Sequence, residues 1–151
     1  MSSRHGDLGL VAREQIRDTL ARYTWSGDTG RADDLAATFC ADGVLEIRDR
    51  PSLRGRTEIA RFLSDLTAGV AGSARADSKP IVRHILANVQ FTELTSDQAR
   101  VRSYFTVVTD IGLDHFGRYR DVLVPAEGTW LIKQRSVSTD WTAPASRMAG
   151  D

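Results

Sequence analysis

Residues 16–28 read IRDTLARYTWSGD and predict an amphipathic helix that ends at an acidic side chain. Its apolar side chains recur with the spacing of one side of a helix of about 3.6 residues per turn; they are Ile16, Leu20 and Tyr23. Gly27 is a typical helix stop, and Asp28 follows it directly. We therefore expect the Asp28 carboxylate to point into the space that this helix lines.

The composition is that of one globular domain. The chain has 151 residues, 41% of them hydrophobic, which is enough for a core of its own. Basic and acidic side chains number 20 each, and the zero net charge argues against nucleic acid as the main partner. The single cysteine, Cys40, excludes an internal disulfide framework. No apolar run approaches the roughly 20 residues of a membrane span, and the N-terminal stretch lacks the apolar core of a signal peptide, so we expect a cytoplasmic protein that does not bind membranes.

The order of predicted elements is three helices and a short strand, followed by four sequential strands. Hydrophobic periodicity and turn residues place the helices at residues 10–27, 33–40 and 58–66, and the strands at residues 44–49, 81–91, 99–110, 116–124 and 130–137. Such an order is typical of an α+β fold, in which helices pack on one side of a curved, mostly antiparallel sheet. A strongly curved sheet closed by helices leaves a conical cavity that suits a small molecule.

The sequence predicts a single domain over residues 10–141. Residues 1–9 and 142–151 are polar or rich in small side chains and are expected to be flexible. Residues 67–80 carry small and turn-forming side chains, and they are expected to form a loop that acts either as a lid or as a plain connector.

Seven short motifs follow one another in an order that resembles the SnoaL-like branch of the NTF2-like superfamily. They are Tyr23/Asp28, Phe39/Asp42/Gly43, Gly55/Arg56/Ile59/Phe62/Leu63, Arg83/His84/Asn88, Ala99/Val101/Ser103/Phe105, residues 117–123, and Trp130/Ile132/Arg135. Within that branch the chain is most similar to the scytalone dehydratase, bile-acid dehydratase and hexachlorocyclohexane dehydrochlorinase group. The resemblance implies an NTF2-like cone, with three N-terminal helices packed on a strongly curved sheet.

The resemblance also implies a set of site residues. Lyases of that group use an aspartate just after the first helix and a histidine on the first long strand, and Asp28 and His84 occupy these two positions. Tyr23 matches a tyrosine of the dehydratases, and Arg135 falls where the dehydrochlorinase carries a cavity arginine. The expected site is thus a catalytic Asp28–His84 pair with Tyr23 and Arg135 binding substrate.

One position departs from the group. The bile-acid dehydratases carry a further acid on the second long strand, where this chain has Val107, flanked by Phe105. We expect these two side chains to contact substrate and to make the cavity drier, which argues against a bile-acid-like substrate.

The expected residues favour acid–base chemistry without a cofactor. Imidazole groups titrate near neutral pH, and a buried carboxylate bonded to one ring nitrogen fixes the tautomer and stabilises the imidazolium. Tyr23 would donate a hydrogen bond to a developing oxyanion, and Arg135 would stabilise an anion. The predicted reaction is proton abstraction from a small apolar cyclic substrate, such as a polyketide, terpenoid or steroid. β-Elimination of water or double-bond migration would follow, with no metal, nucleotide or flavin.

Each of these side chains also has a purely structural interpretation. A strand histidine is more often a satisfied core or surface residue than a base, and an aspartate beside glycine is common in turns. Tyr23 fits a core aromatic, and Arg135 could pair with Asp121 or Glu127. Asp114 and His115 fall in a predicted connecting loop and are expected to be exposed to solvent.

Two non-catalytic functions are kept as alternatives. The sequences of the predicted strands also resemble the small β-subunits of ring-hydroxylating dioxygenases, which are scaffolds. An intact Asp28–His84 pair argues against that function. The chain could instead bind a lipophilic ligand without converting it. Open curved sheets commonly pair through their outer face, so a homodimer or homotrimer is expected.

Overall fold

The computed structural model describes residues 2–73 and 81–148. Its elements in chain order are α1 (Ser2–Asp28), α2 (Ala32–Ala36), β1 (Phe39–Ile47), β2 (Leu53–Arg54), α3 (Gly55–Ser73), β3 (Arg83–Leu94), β4 (Ala99–Thr109), β5 (Gly112–Ala126) and β6 (Thr129–Thr142). The strands form one sheet in the order β2-β1-β6-β5-β4-β3. Strands β1 and β6 run parallel, and the other neighbours are antiparallel. The predicted α+β class with a mostly antiparallel sheet is confirmed.

The core lies between the helices and the inner face of the sheet. Helix α1 packs against β3 and β6, and α3 packs against β1. The stripe predicted on α1 is buried as expected, since Ile16 and Leu20 are almost fully inaccessible. Thr19 on the same side donates a hydrogen bond to the main-chain oxygen of Trp130 at 2.6 Å, which ties α1 to the start of β6.

Several boundaries differ from the predicted ones. Helix α1 begins at Ser2 rather than at residue 10, and α2 ends at Ala36 rather than at residue 40. Strand β1 starts at Phe39, five residues earlier than predicted. Helix α3 continues to Ser73, because small side chains such as those of residues 67–73 are compatible with a helix even though they add little apolar burial. Residues 74–80, the rest of the predicted lid or connector, lie outside the described residues.

Bulges bend the long strands. The pairing register shifts within each neighbouring pair from β3 to β6, which inserts extra residues and increases the local twist. The turn between β5 and β6 is tight: Glu127 and Gly128 have φ of 52° and 78°, as a two-residue hairpin of the favoured type requires. This curvature gives the sheet a concave inner face.

The outer face of the sheet carries exposed apolar side chains. Phe116 and Trp141 stack with ring centroids 5.7 Å apart, and Ile85 and Tyr104 are about half exposed on neighbouring strands. Such a patch is what a contact between copies of the chain would use, and the homodimer or homotrimer stays a prediction. Within the described residues, every helix is too short or too polar to cross a bilayer.

Gly117 marks the closest approach between two strands. It lies on the inner face of β5 beside a register shift, and a Cβ added there would be 2.0 Å from the main-chain oxygen of Ser138. The same Cβ would be 2.8 Å from Cζ of Phe105 and from Cα of Thr139. The sheet can therefore close around Phe105 only because position 117 has no side chain.

Replacing Gly117 by alanine is expected to destabilise the domain by about 1–3 kcal/mol, the usual cost of overpacking a core. Urea unfolding followed by circular dichroism measures it. The control is Gly69→Ala on α3, where nothing lies within 4 Å of the added Cβ. That change should leave stability unaltered or raise it by up to about 1 kcal/mol, because alanine favours helix. Equal unfolding midpoints for the two variants would contradict the steric argument.

Candidate active site

The end of α1 and the start of β3 meet at Asp28 and His84. Asp28 Oδ1 lies 2.6 Å from His84 Nδ1. The main-chain N–H of His84 also donates to the Asp28 carboxylate, at 3.2 Å to Oδ1 and 3.0 Å to Oδ2. The side chains are 8% and 19% exposed, so both are shielded from bulk water without being sealed off.

The position of Asp28 is not explained by helix stability. It is the last residue of α1, where the helix dipole disfavours a negative charge by about 0.3–1 kcal/mol. The two N–H groups of His84 compensate, since hydrogen bonds to a charged acceptor are the stronger kind. Because a carboxylate only accepts, the shared proton belongs to Nδ1, and Nε2 is left as the nitrogen that can take a proton.

Two neighbouring cavity lobes lie beside this pair, and Tyr23 and His84 belong to the walls of both. The helix lobe, about 250 Å³, lies under α1 and α3; its walls include Asp28, Leu35, Ile59 and Leu63. The strand lobe, about 300 Å³, lies against β5 and β6; its walls include Phe105, His115, Tyr119 and Val137. His84 belongs to the walls of both lobes, so a ligand in either lobe can reach its imidazole.

Tyr23 and Phe105 lie where the sequence predicted, on the cavity wall. Tyr23 lines both lobes, and Phe105 lines the strand lobe, with its ring centroid 6.5 Å from that of His84. Burial raises the pKa of the Tyr23 phenol, although the neighbouring Arg135 guanidinium opposes this. The hydroxyl therefore stays protonated near neutral pH and can act as a hydrogen-bond donor.

Arg135 is brought near the site but not onto its surface. It is fully buried, with its guanidinium carbon 4.2 Å from the ring centroid of Tyr23 and 3.8 Å from that of Tyr119. It binds Asp121 through two hydrogen bonds of 2.7 and 2.8 Å. Burial alone would lower the pKa of Arg135, but the Asp121 carboxylate outweighs it and raises the pKa, so the arginine stays charged. The sequence left a pairing of Arg135 with Asp121 open, and that pairing is found. The prediction that Arg135 contacts substrate directly is corrected, because its side chain lies behind the rings of Tyr23 and Tyr119.

Val107 also lies behind the wall. It is fully buried in a small cluster with Phe105 and Tyr119, and among the described residues it is not part of either lobe's lining. Its predicted contact with substrate is corrected accordingly, since it supports the Phe105 ring instead. Residues 2–73 and 81–148 contain no group of three or more metal-ligating side chains placed to hold an ion.

A match to the SnoaL-like domain family covers residues 9–136, which is most of the chain. The protein belongs to the SnoaL-like family. The predicted SnoaL-like relationship is thereby confirmed. Among curated proteins, no sequence matches this SnoaL-like chain significantly.

Solved structures similar to this SnoaL-like protein agree on the fold. An NTF2-like protein with a cystatin-like fold from Novosphingobium aromaticivorans is 21% identical, with a TM-score of 0.78 over 100% of this chain and 97% of that one. A protein of unknown function from Mycobacterium tuberculosis is 25% identical, with a TM-score of 0.75 over 89% and 75%. A candidate scytalone dehydratase from Novosphingobium aromaticivorans is 21% identical, with a TM-score of 0.73 over 97% and 98%.

Two cavity residues of this SnoaL-like protein, His115 and Met148, were not predicted from the sequence. The expectation that Asp114 and His115 lie in an exposed loop is wrong, because β5 begins at Gly112 and both side chains are largely buried. The alternation of inner and outer positions on β5, followed back from Tyr119, would have placed His115 on the inner face. Met148, in the predicted tail, lines both lobes, and its contact with the cavity had no signal in the sequence.

Proposed function

We propose that this protein is a cofactor-independent lyase or isomerase of the dehydratase type, with His84 as the base and Asp28 as the residue that orients it. The observation that carries the proposal is the 2.6 Å contact between Asp28 and His84, located on the wall of an apolar cavity. A buried carboxylate–imidazole pair of this geometry is suited to proton transfer near neutral pH.

The proposed reaction begins at a carbon next to a carbonyl group. His84 Nε2 takes a proton from that carbon, and the electron pair of the broken C–H bond moves toward the carbonyl oxygen as an enolate forms. Asp28 stabilises the imidazolium, and the protonated Tyr23 hydroxyl donates a hydrogen bond to the developing oxyanion. Loss of a β-substituent then completes an elimination, whereas return of the proton at another carbon completes an isomerisation.

The substrate class follows from the cavity walls. Apart from Asp28, His84 and a few hydroxyl groups, the helix lobe is lined by aliphatic and aromatic side chains, which favours a small apolar ring system such as a polyketide, terpenoid or steroid. Family membership supports this class, because SnoaL-like proteins include polyketide cyclases and dehydratase-like enzymes. Arg135 contributes from behind by holding Tyr23 in place.

Exchange of the α-protons of 1-indanone in D₂O, followed by proton NMR, tests the base without requiring a leaving group. The wild-type protein is expected to catalyse this exchange, and His84→Gln to slow it at least about 100-fold, as loss of a general base usually does. Glutamine keeps the main-chain N–H that binds Asp28, so the fold should persist. The matched control is Arg83→Gln, an exposed side chain on the same strand, which should exchange at the wild-type rate.

The same experiment separates the alternatives. Saturable binding of 1-indanone with no exchange by the wild-type protein would contradict catalysis and favour a protein that binds a lipophilic ligand. Exchange that is equal in the wild type and in His84→Gln would exclude His84 as the base.

A further inference from the structure

A second carboxylate–imidazole pair lies across the cavity from the first. His115 Nδ1 is 2.7 Å from Asp114 Oδ1, and the two side chains are 14% and 0% exposed. His115 lines the strand lobe, whose wall also contains His84. Asp114 and His115 take no part in the reaction proposed for His84.

A β-bulge puts the second pair in place. Val107 on β4 faces His115, while the next residue of β4, Val108, faces Leu113, so Asp114 is the extra residue of β5. The bulge turns the Asp114 carboxylate sideways, toward the imidazole of its neighbour and the chain after β6. Bulges of this kind are common beside active sites, where they re-aim side chains.

The Asp114 carboxylate is firmly held. It accepts hydrogen bonds from four groups: Thr109 Oγ1 at 2.9 Å, the main-chain N–H of Arg147 at 2.7 Å, His115 Nδ1, and the hydroxyl of Ser146. Burial by itself would raise the pKa of the Asp114 carboxyl, but these hydrogen bonds outweigh it and hold the pKa below its usual value. The carboxylate therefore stays ionised near neutral pH, where it stabilises a positive charge on the His115 ring and leaves Nε2 for the cavity.

The two histidines stand in one row across the sheet. His84 on β3 pairs with Val107 on β4, and Val107 pairs with His115 on β5. Their Cα atoms are therefore about 10 Å apart, two strand spacings of about 4.8 Å each, and their side chains share the inner face. The Phe105 ring contacts both imidazoles, with centroid distances of 6.5 Å to His84 and 5.9 Å to His115. A ring-shaped ligand lying on Phe105 would have one imidazole at each side.

We propose that His115, oriented by Asp114, is a second acid–base residue that protonates the oxygen leaving from a substrate held between it and His84. The substrate class is then narrowed to cyclic β-hydroxycarbonyl compounds, and the reaction to dehydration rather than isomerisation. This inference rests on the proposed role of His84 as the base.

The step balances with the groups present. His84 Nε2 takes the proton on the carbon next to the carbonyl and the enolate forms; its electron pair then becomes the new C=C bond as the C–O bond to the β-hydroxyl breaks. The departing oxygen takes the Nε2 proton of the His115 imidazolium and leaves as water. His84 then carries one extra proton and His115 one fewer, and exchange with solvent restores both.

A purely structural role for the second pair makes a different prediction. Asp114 anchors the chain after β6 through Ser146 and Arg147, and its main-chain oxygen accepts from the N–H of Ala143 at 2.8 Å. None of these bonds involves the imidazole. Removing the His115 ring should therefore leave these hydrogen bonds of Asp114 in place. If the ring itself helps to hold the chain after β6, its removal will lower the free energy of unfolding.

Three probes on one bicyclic skeleton test the proposal in His115→Gln. Exchange of 1-indanone α-protons needs only the base, elimination from 3-hydroxy-1-indanone needs base and acid, and elimination from 3-acetoxy-1-indanone releases an acetate that needs no proton. We expect exchange and acetate elimination within about threefold of wild type, and water elimination slowed about 100-fold, as for loss of a general acid. Ultraviolet absorbance measures the appearance of the conjugated ketone, and proton NMR measures the exchange. Arg120→Gln, an exposed side chain on β5, is the control and should match the wild type.

Each outcome decides the inference. Selective loss of water elimination supports it, whereas equal losses on the hydroxy and acetoxy probes, or no loss on either, overturn it. Failure of the wild-type protein to exchange 1-indanone would instead overturn the proposed function of His84. If His115→Gln has a lowered unfolding midpoint, His115→Ala is measured with added imidazole. Restored water elimination then supports the acid role, and elimination that stays slow overturns it.

Discussion

Replacing Asp28 by asparagine is expected to lower the rate of proton exchange roughly 10³- to 10⁴-fold while the domain keeps its fold, as happens where a carboxylate orients a catalytic histidine. The reason is the direction of one hydrogen bond. The carboxylate accepts the Nδ1 proton of His84 and so leaves Nε2 free to act as a base. An asparagine that keeps its oxygen on the main-chain N–H of His84 turns its NH₂ group toward Nδ1. The imidazole then carries its proton on Nε2, where a base is needed.

The Asp28→Asn measurement uses the 1-indanone exchange assay together with thermal unfolding. Asp18→Asn is the matched control: Asp18 lies on the same helix, is 65% exposed and bridges Arg22 at 3.1 Å, and it should exchange at the wild-type rate. Nitrogen-15 NMR of the histidine ring gives an independent readout, because the tautomer at His84 should change in Asp28→Asn alone. More than a tenth of the wild-type rate in Asp28→Asn would show that the carboxylate does not set the tautomer.

The approach of Asp28 to His84 was foreseeable because each lies at a position that local sequence defines. The helical period places Asp28 just after the predicted helix of residues 10–27, on its buried side, and the family resemblance supplied the partner on the first long strand. Neither signal depends on the exact register of the sheet. The pair could therefore be predicted even though the helix boundaries were misplaced by several residues.

His115 was not placed in the same way, because the predicted strand began at residue 116 and left His115 in a loop, whereas β5 begins at Gly112. The segment from Gly112 to His115 looks like a polar turn, and the extra residue Asp114 interrupts the alternation that identifies a strand. Once β5 is known to start at Gly112, alternation counted back from Tyr119 places His115 on the inner face. The bulge at Asp114 then brings the buried carboxylate beside the ring.

The position of Arg135 shows a different limit of prediction from sequence. The family resemblance indicated a side chain that points inward, but it does not tell how deep in the fold that side chain lies. The depth is set by the pairing of Arg135 with Asp121 on β5, which places the two side chains opposite one another. An inward arginine beside an inward aspartate forms a buried pair, and the tyrosine rings that cover it become the cavity wall.

Replacing Arg135 by methionine is expected to destabilise the domain by about 3–5 kcal/mol, because it leaves the Asp121 carboxylate buried without its counter-ion. The side chains of Arg135 and Asp121 are 1% and 0% exposed, so water cannot take over the lost hydrogen bonds. Urea unfolding monitored by circular dichroism measures the loss. The control is Arg118→Met, which breaks a half-exposed bridge to Asp140 between the same two strands and should cost less than about 1 kcal/mol.

The double variant Arg135→Met/Asp121→Val is expected to recover most of that stability, since a buried ion pair often contributes no more than apolar side chains that replace it. Among the described residues, Nη1 of Arg135 and Oγ of Ser103 are buried without a hydrogen-bond partner, so removing the arginine also removes an unsatisfied donor. If the double variant is as unstable as Arg135→Met, the cost comes from lost packing rather than from the unpaired charge. A stable double variant that exchanges 1-indanone slowly would indicate that Arg135 is retained to hold the Tyr23 hydroxyl against the cavity, and not to hold the domain together.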